Sequence, residues 1–242
     1  MAPIRIAMLS GPRNISTTMM RSFENRPDSA VIDEPFYAHY LNVTGLEHPM
    51  RQEILASQPR DWQEVVCTLT TEKPAKVHFQ KHMCHHLTPE IDRTWLTELD
   101  HFFLIREPAR MVASYADRME AVTVQDLGLE EERMLFDYIA DLTGRQPAIV
   151  DAHDILADPR AMLKSLCARL EIPFSDSMLA WPAGKRESDG VWAPHWYRSV
   201  ETSTGFRPPD EREPDLADHL QKIVDACLPH FHYLHEQRLT AH

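Results

Sequence analysis

The chain reads as an α/β protein with a doubly wound, mainly parallel sheet flanked by helices, and two observations predict this. Short apolar runs of strand length alternate with helix-length segments, the pattern of parallel strands joined by helical crossovers. Four strand ends then run into polar clusters, at residues 10–18, 33–37, 80–86 and 106–114. Open α/β sheets bind their ligands at such ends.

The elements follow in order. Ile4 to Leu9 is a short buried strand that breaks at Ser10-Gly11-Pro12, and a helix runs from about Ser16 through Phe23. Ala30-Val31-Ile32 is a second strand, stopped at Asp33-Glu34-Pro35 by the proline. Residues 36–72 read as a helical excursion with breaks, and Trp62 to Thr71 is its most helical part. Ala75 to Lys81 is a third strand, followed by a loop or helix start at Met83 to His86. A short helix over about Ile91 to Leu99 leads into a fourth strand, His101 to Ile105, and then a helix from Ala109 to Glu120. A helix at Glu130 to Thr143, a strand at Ala148 to Val150 and a helix at Pro159 to Leu170 complete the alternation. Trp181 to Pro214 is a long loop rich in Pro, Gly and Trp, and a last helix spans about Pro214 to His230.

Composition sets bounds on function. A chain of 242 residues suits one well-buried core, so residues 1–242 are read as a single domain. A net charge of −12 argues against a nucleic-acid or anionic-membrane surface, which would need clustered cations. A small anionic ligand would still need a few cations set against that mean field. Cys67, Cys84, Cys167 and Cys227 are scattered, with no C-x-x-C pair. That speaks against zinc and a disulfide framework and for a reducing cytoplasm. No segment approaches the roughly 18 consecutive apolar residues of a membrane span. The N-terminus enters a strand-like run without a signal-peptide core.

The first loop, Ser10 to Thr18, joins a strand to a helix. A helix N-terminus offers unpaired N–H groups and the positive end of a dipole, a seat for phosphate. Ser16, Thr17 and Thr18 add hydroxyls and Arg13 a cation, although Ser and Thr before a helix also serve as plain caps. The Gly-Lys-Ser/Thr ending of a triphosphatase loop is absent, since this slot reads Ser16-Thr17-Thr18. A phosphate loop without that lysine fits a nucleotide lacking a triphosphate tail.

Pro12-Arg13-Asn14-Ile15-Ser16-Thr17 resembles the first loop of the sulfotransferases that use 3′-phosphoadenosine 5′-phosphosulfate, with Ile15 in place of the usual glycine. About 90 residues on, Leu104-Ile105-Arg106-Glu107-Pro108 followed by Ser114-Tyr115 resembles that family's 3′-phosphate motif. Arg106 at a strand end can fork onto a phosphate and Ser114 can add a hydroxyl. A looser echo is Gly184 to Trp192, which makes Lys185 and Arg186 candidates for the basic loop over the 3′-phosphate.

The resemblance implies a P-loop-like sulfotransferase architecture that needs no metal, with the 3′-phosphoadenosine 5′-phosphosulfate co-substrate held by residues 12–18, Arg106, Ser114, Lys185 and Arg186. Arg13 would stabilise the bridging oxygen as the sulfuryl group departs. The base that takes the acceptor's proton is read as Glu34 or His82, with His85 and His86 as further candidates, and Lys81 could bind sulfuryl oxygens. A plainer role for Glu34, before Pro35, is a turn or helix-cap carboxylate, and for His85 and His86 a helix cap or core packing. Trp181, Trp192, His195, Trp196 and Tyr197 of the late loop, with residues 36–72, are expected to shape the acceptor pocket. The acceptor class stays open among a small molecule, a carbohydrate and a lipid headgroup, as does the oligomeric state. Two other readings stay open: a small-molecule kinase of P-loop type, and a non-catalytic nucleotide-binding relative.

Overall fold

The computed structural model describes residues 3–119 and 121–241. Five strands form one sheet: β1 (Ile4–Ser10), β2 (Ser29–Asp33), β3 (Val77–Met83), β4 (Asp100–Ile105) and β5 (Ala148–Asp151). Their order is β2-β3-β1-β4-β5, and every pairing is parallel. The helices are α1 (Ser16–Glu24), α2 (Tyr37–Thr44), α3 (Arg51–Ser57), α4 (Trp62–Thr71), α5 (Pro108–Ala116) and α6 (Val124–Leu127). They continue with α7 (Leu129–Thr143), α8 (Ala152–Ala157), α9 (Pro159–Arg169), α10 (Ala193–Trp196), α11 (Arg198–Glu201) and α12 (Asp218–His235).

Strand alternation sorts the apolar residues into two cores. Ile6, Met8, Phe79, Phe102, Leu104 and Val150 face one side with Met19, Phe23 and Leu163 of the helices. Ala7, Leu9, Phe103, Ile105 and Ile149 face the other with residues of α4, α5, α7 and α12. Burial on both faces explains the continuous apolar runs of the strands. A smaller third cluster joins α2 and α3 to Trp192, Tyr197 and Val200 of the late segment.

All five expected strands form. The third begins at Val77 and reaches Met83, two residues further along than the sequence suggests. The helix expected over 91–99 is a 3-10 turn, Thr94–Glu98. The helix expected over 109–120 ends at Ala116, and Glu120 lies outside the described residues. The late loop carries two one-turn helices, and the last helix is Asp218–His235 with Pro229 inside it.

Topology fixes where a ligand can go. The chain leaves β1 towards β2 and β3 on one side and later towards β4 and β5 on the other, so the loop after β1 sits at the switch point. Ser10 pairs in register with Met83 and with Leu104, which sets the ends of β1, β3 and β4 side by side. Gly11 leaves this point with no room for a side chain: a Cβ there would lie 2.4 Å from the Leu127 carbonyl oxygen and 3.0 Å from the Met111 Cε. Gly11→Ala is therefore expected to destabilise the protein by about 1–3 kcal/mol, read as a lower urea midpoint. An unchanged midpoint would mean that the loop is not packed against α6 as described.

Candidate active site

The loop after β1 is built on strained backbone. Arg13 and Ile15 both hold positive φ, 63° and 57°, and Glu34 at the end of β2 holds 41°. These make up three of the five non-glycine residues with positive φ among the described residues. Left-handed backbone costs a non-glycine residue of order 1 kcal/mol or more, and such strain concentrates at functional sites. Ile15 thus adopts a conformation that glycine reaches without penalty. Asn14 anchors the loop from beneath, its buried side-chain amide donating to the Leu104 carbonyl at 2.9 Å.

Ile15 is the N-cap of α1 and makes no side-chain cap hydrogen bond. The first N–H groups of α1 therefore lack a capping side chain. Ser16, Thr17 and Thr18 line a cavity of about 210 Å³ together with Arg13, Arg106, Ser114, Trp196, Tyr197 and Ser199. The Arg13 Nε donates to Ser114 Oγ at 2.9 Å, and an Arg106 guanidinium nitrogen donates to the Arg13 carbonyl at 2.7 Å. Arg106 and Ser114, 93 and 101 residues from Arg13 in sequence, thus meet the first loop directly.

Neither guanidinium is paired with a carboxylate within 4.0 Å among the described residues. Burial pushes both below the ordinary arginine value, and neighbouring cations add to this. Arg118 acts on Arg13, and Arg110 together with Arg13 acts on Arg106. A cluster of cations whose charges depress one another is an anion site in want of an anion.

A second, narrower cavity of about 80 Å³ opens on the other side of the loop. It shares Arg13, Ser16, Thr17, Trp196 and Tyr197 with the first, and adds Pro12, Glu34, Tyr37, His48, Lys81, Met83, His85, His86 and Tyr115. The two spaces therefore meet at the loop cation. The wall of the second is aromatic: the Tyr37 and Tyr40 rings stack on His86 at 4.6 and 4.7 Å, and the Arg13 guanidinium lies 6.0 Å from the Trp196 ring centre. Burial lowers His85 to about 3 and takes His86 well below its ordinary value, so both imidazoles are neutral. A larger cavity of about 440 Å³ lies at the opposite edge of the sheet, against Asp100, His101, Arg145 and Arg169. It touches no strand C-terminus and none of the residues singled out above.

Glu34 faces the second cavity, held by Lys81. Asp33 and Lys81 are register partners across β2 and β3, and the Lys81 ammonium, 1% exposed, has three acceptors. It donates to Asp33 Oδ1 at 2.8 Å, to Glu34 Oε1 at 2.6 Å and to the Tyr197 hydroxyl at 2.8 Å. Burial alone would lower Lys81, but Asp33 and Glu34 outweigh it and hold the ammonium well above its ordinary value. An ammonium has three donors, so Lys81 keeps none for a sulfuryl oxygen. Burial raises the Glu34 carboxyl, Lys81 opposes that rise, and Asp33 adds to it.

The remaining sequence candidates fall elsewhere. His82 alternates to the opposite face of β3 from Lys81, where its ring lies against Phe36 and Trp95 and meets Gln80 at 3.2 Å. It lines neither cavity, and burial takes it down to about 3. Lys185 is exposed, and neither it nor Arg186 lines the two cavities. Arg186 turns to Glu24 at 3.6 Å and to the Pro182 carbonyl, fastening the late loop to α1. Trp181 is buried against Phe206 of the late segment and Trp192 against α2 and α3, whereas Trp196 and Tyr197 reach both cavities. Sequence reasoning covered His48 only within residues 36–72 and Tyr115 only as part of the Ser114-Tyr115 motif, and it did not single out Asp33 or Ser199. Asp33 was signalled only by its place beside Glu34 at a strand end.

The family comparison gives the class to which this geometry belongs. Residues 4–238 match the sulfotransferase domain family, and the chain belongs to it. The fold is similar to the sulfotransferase domain of the Synechococcus PCC 7002 olefin synthase, with a TM-score of 0.54, 17% identity, and coverage of 93% of this chain and 94% of that one. A sulfotransferase from Alicyclobacillus acidocaldarius also scores 0.54, at 12% identity, over 99% of this chain and 98% of that one. Two curated relatives from Arabidopsis thaliana, branched-chain-amino-acid aminotransferase-like proteins 2 and 1, are 36% and 34% identical over 226 residues. That match covers 93% of this chain, and the chain spans 40% of the length of each relative. Among the described residues no helix is long and apolar enough to cross a membrane, and no group of three or more His, Cys, Asp or Glu side chains is arranged to hold a metal ion.

The buried imidazoles give the fold a pH signature. Burial first of all holds His78 and His101 at about 4, and His82 and His85 at about 3. In the unfolded chain they take up a proton near pH ~6.5, so below that value the unfolded state binds more protons. Their contribution to stability is complete above pH ~6.5 and is lost as pH falls towards the folded values. His82→Leu removes one such group. The slope of unfolding free energy between about pH 6 and 4 is then expected to become shallower by up to about 1.4 kcal/mol per pH unit. An unchanged slope would show that His82 titrates freely in the folded protein.

Proposed function

We propose that the chain, read as one domain, transfers a sulfuryl group from 3′-phosphoadenosine 5′-phosphosulfate to a hydroxyl or amine of an acceptor that enters the aromatic cavity. The carrying observation is the pair of half-buried guanidiniums of Arg13 and Arg106, the first donating to Ser114 Oγ and the second to the Arg13 main-chain carbonyl, with no carboxylate partner among the described residues. The family membership supports sulfuryl transfer as the chemistry, and the absence of the triphosphatase lysine in the loop argues against the kinase reading.

In this reading the cavity of about 210 Å³ holds the nucleotide, with Arg106 and Ser114 on its 3′-phosphate. The N-terminus of α1, with Ser16, Thr17 and Thr18, takes the 5′ end. The loop shared by both cavities is where donor and acceptor meet. Arg13 stabilises charge on the bridging oxygen as the sulfur–oxygen bond breaks, the kind of interaction that strengthens in the transition state. Glu34 takes the acceptor's proton. Its carboxyl borders the acceptor cavity, and its raised proton affinity suits a base working near neutrality. His82 is left without this role by its burial on the other face of β3, and Lys81 acts by holding Glu34 rather than the sulfuryl group. The neutral, aromatic wall favours a small acceptor, or a small end of a larger one, over a polyanion. The aminotransferase part of the relatives' names describes proteins of which the chain spans 40%, and the cytoplasm is the compartment that the cysteine pattern favours.

Three measurements test this reading. In thermal-shift assays adenosine 3′,5′-bisphosphate should stabilise the protein and ATP with magnesium should not; the reverse would favour a kinase. Arg106→Ala should weaken adenosine 3′,5′-bisphosphate binding by about 1.5–3 kcal/mol, roughly 10- to 100-fold, and unchanged affinity would remove the 3′-phosphate assignment. In a panel of phenols, sugars and amino alcohols, Arg13→Ala should lower turnover more than nucleotide affinity. Glu34→Gln should lower turnover by about 100-fold or more. Nucleotide binding without transfer to any acceptor would favour a non-catalytic relative.

A further inference from the structure

The ammonium that holds Glu34 poses a problem for a base. A cation 2.6 Å from one carboxylate oxygen stabilises the ionised form and weakens its attraction for a proton. The arrangement around Lys81 offers a remedy. Asp33 lies 2.8 Å from the same ammonium and is nearly as buried, at 4% exposure. Its other oxygen, Oδ2, accepts from the Tyr197 hydroxyl at 2.6 Å and from the Gly190 N–H at 3.3 Å. The Trp192 indole N–H in turn donates to the Tyr197 hydroxyl at 3.0 Å. Every donor on Lys81 and the hydroxyl of Tyr197 are thereby committed, and both oxygens of Asp33 are satisfied.

Resting on the assignment of Glu34 as the base, we propose that Asp33 is a positioning residue that takes up the charge of Lys81, while Tyr197 and Gly190 of the late segment clamp it in place. Lys81 then orients Glu34 without quenching it. The set of two carboxylates and one ammonium carries a single net negative charge, the charge that receives the acceptor's proton. A lone Lys–Glu pair would be a closed ion pair; the third member reopens it.

The groups facing Glu34 are accounted for. Asp33 lies on its own strand, Lys81 on β3, Tyr197 on the late segment and Tyr37 on α2. Across the cavity stands Arg13, the one other cation lining it among the described residues. The imidazoles of His48, His85 and His86 are lowered by burial and carry no charge towards Glu34 near neutral pH. Asp33 is therefore the anion placed to offset Lys81 at this carboxylate. The clamp also ties the late segment, whose Trp196 and Tyr197 border both cavities, to the tuning of the base.

The test is the titration of Glu34 itself, followed by carboxyl-carbon NMR in the full chain with the resonance assigned by its loss in Glu34→Gln. Asp33→Asn should move the Glu34 midpoint down by about one pH unit or more, since Lys81 then acts unopposed. The double variant Asp33→Asn with Lys81→Met removes both charges and should return the midpoint to within about half a unit of the wild type. This double variant replaces a buried ion pair by neutral groups, a change that folds tolerate better than a single unpaired charge. It therefore tests the cancellation even where Asp33→Asn alone does not fold. An unmoved midpoint in Asp33→Asn, or a double variant still displaced by more than about one unit, would overturn the proposal. Full turnover of Glu34→Gln would sink the assignment of the base and leave the titration result standing, so the two failures are separable.

Discussion

The site depends on one hydrogen bond, from the Arg106 guanidinium to the Arg13 carbonyl. It fastens the end of β4 to the loop after β1 and sets two cations beside a helix N-terminus that is itself positive. In a chain of net charge −12 such a cluster runs against the mean field. Leaving half-buried guanidiniums without a paired carboxylate costs free energy in the folded state. The strained backbone at Arg13 and Ile15 adds to that cost. The surrounding structure must hold both in place, which it does through the Asn14 anchor and the tight packing at Gly11. An arrangement unfavourable on its own and complete only with an anion is the physical signature of a binding site.

The contrast with Lys81 is instructive. Lys81 is buried within β3 and Arg13 is half-buried in the loop after β1, yet among the described residues Lys81 has an acceptor for every donor and Arg13 does not. Counting partners separates a cation that organises other residues from one that awaits a ligand. The same counting sorts the histidines. His82 is enclosed by core aromatics, whereas His85 and His86 form part of a cavity wall. The acceptor side therefore sets aromatic rings and uncharged imidazoles around Glu34 and Lys81, the nucleotide side is cationic, and Arg13 of the loop borders both.

Much of this was legible before any coordinates. Apolar runs bounded by Gly and Pro placed every strand, because burial on both sheet faces leaves a strong local signal. The two anion motifs could be paired because Arg106 and Ser114 lie at a strand end and in the helix after it, where parallel topology brings them to the first loop. What stayed hidden is non-local. The alternation of β3 puts Lys81 and His82 on opposite faces, and a one-residue difference in register would have exchanged them. The late loop has no periodicity, so nothing in it announced that Tyr197 would reach Asp33, 164 residues away, or that Arg186 would turn to Glu24. Ile15 looked like a departure from the loop pattern, yet its backbone takes the left-handed conformation open to glycine.

The account stands or falls on whether the Arg13–Arg106 cluster reads a phosphate on the ribose as well as one at the 5′ end. Isothermal titration of the wild-type protein with adenosine 3′,5′-bisphosphate and with adenosine 5′-monophosphate isolates that single group. The account predicts a loss of roughly 100-fold in affinity, about 3 kcal/mol, when the 3′-phosphate is absent. Equal affinity for the two nucleotides would contradict it.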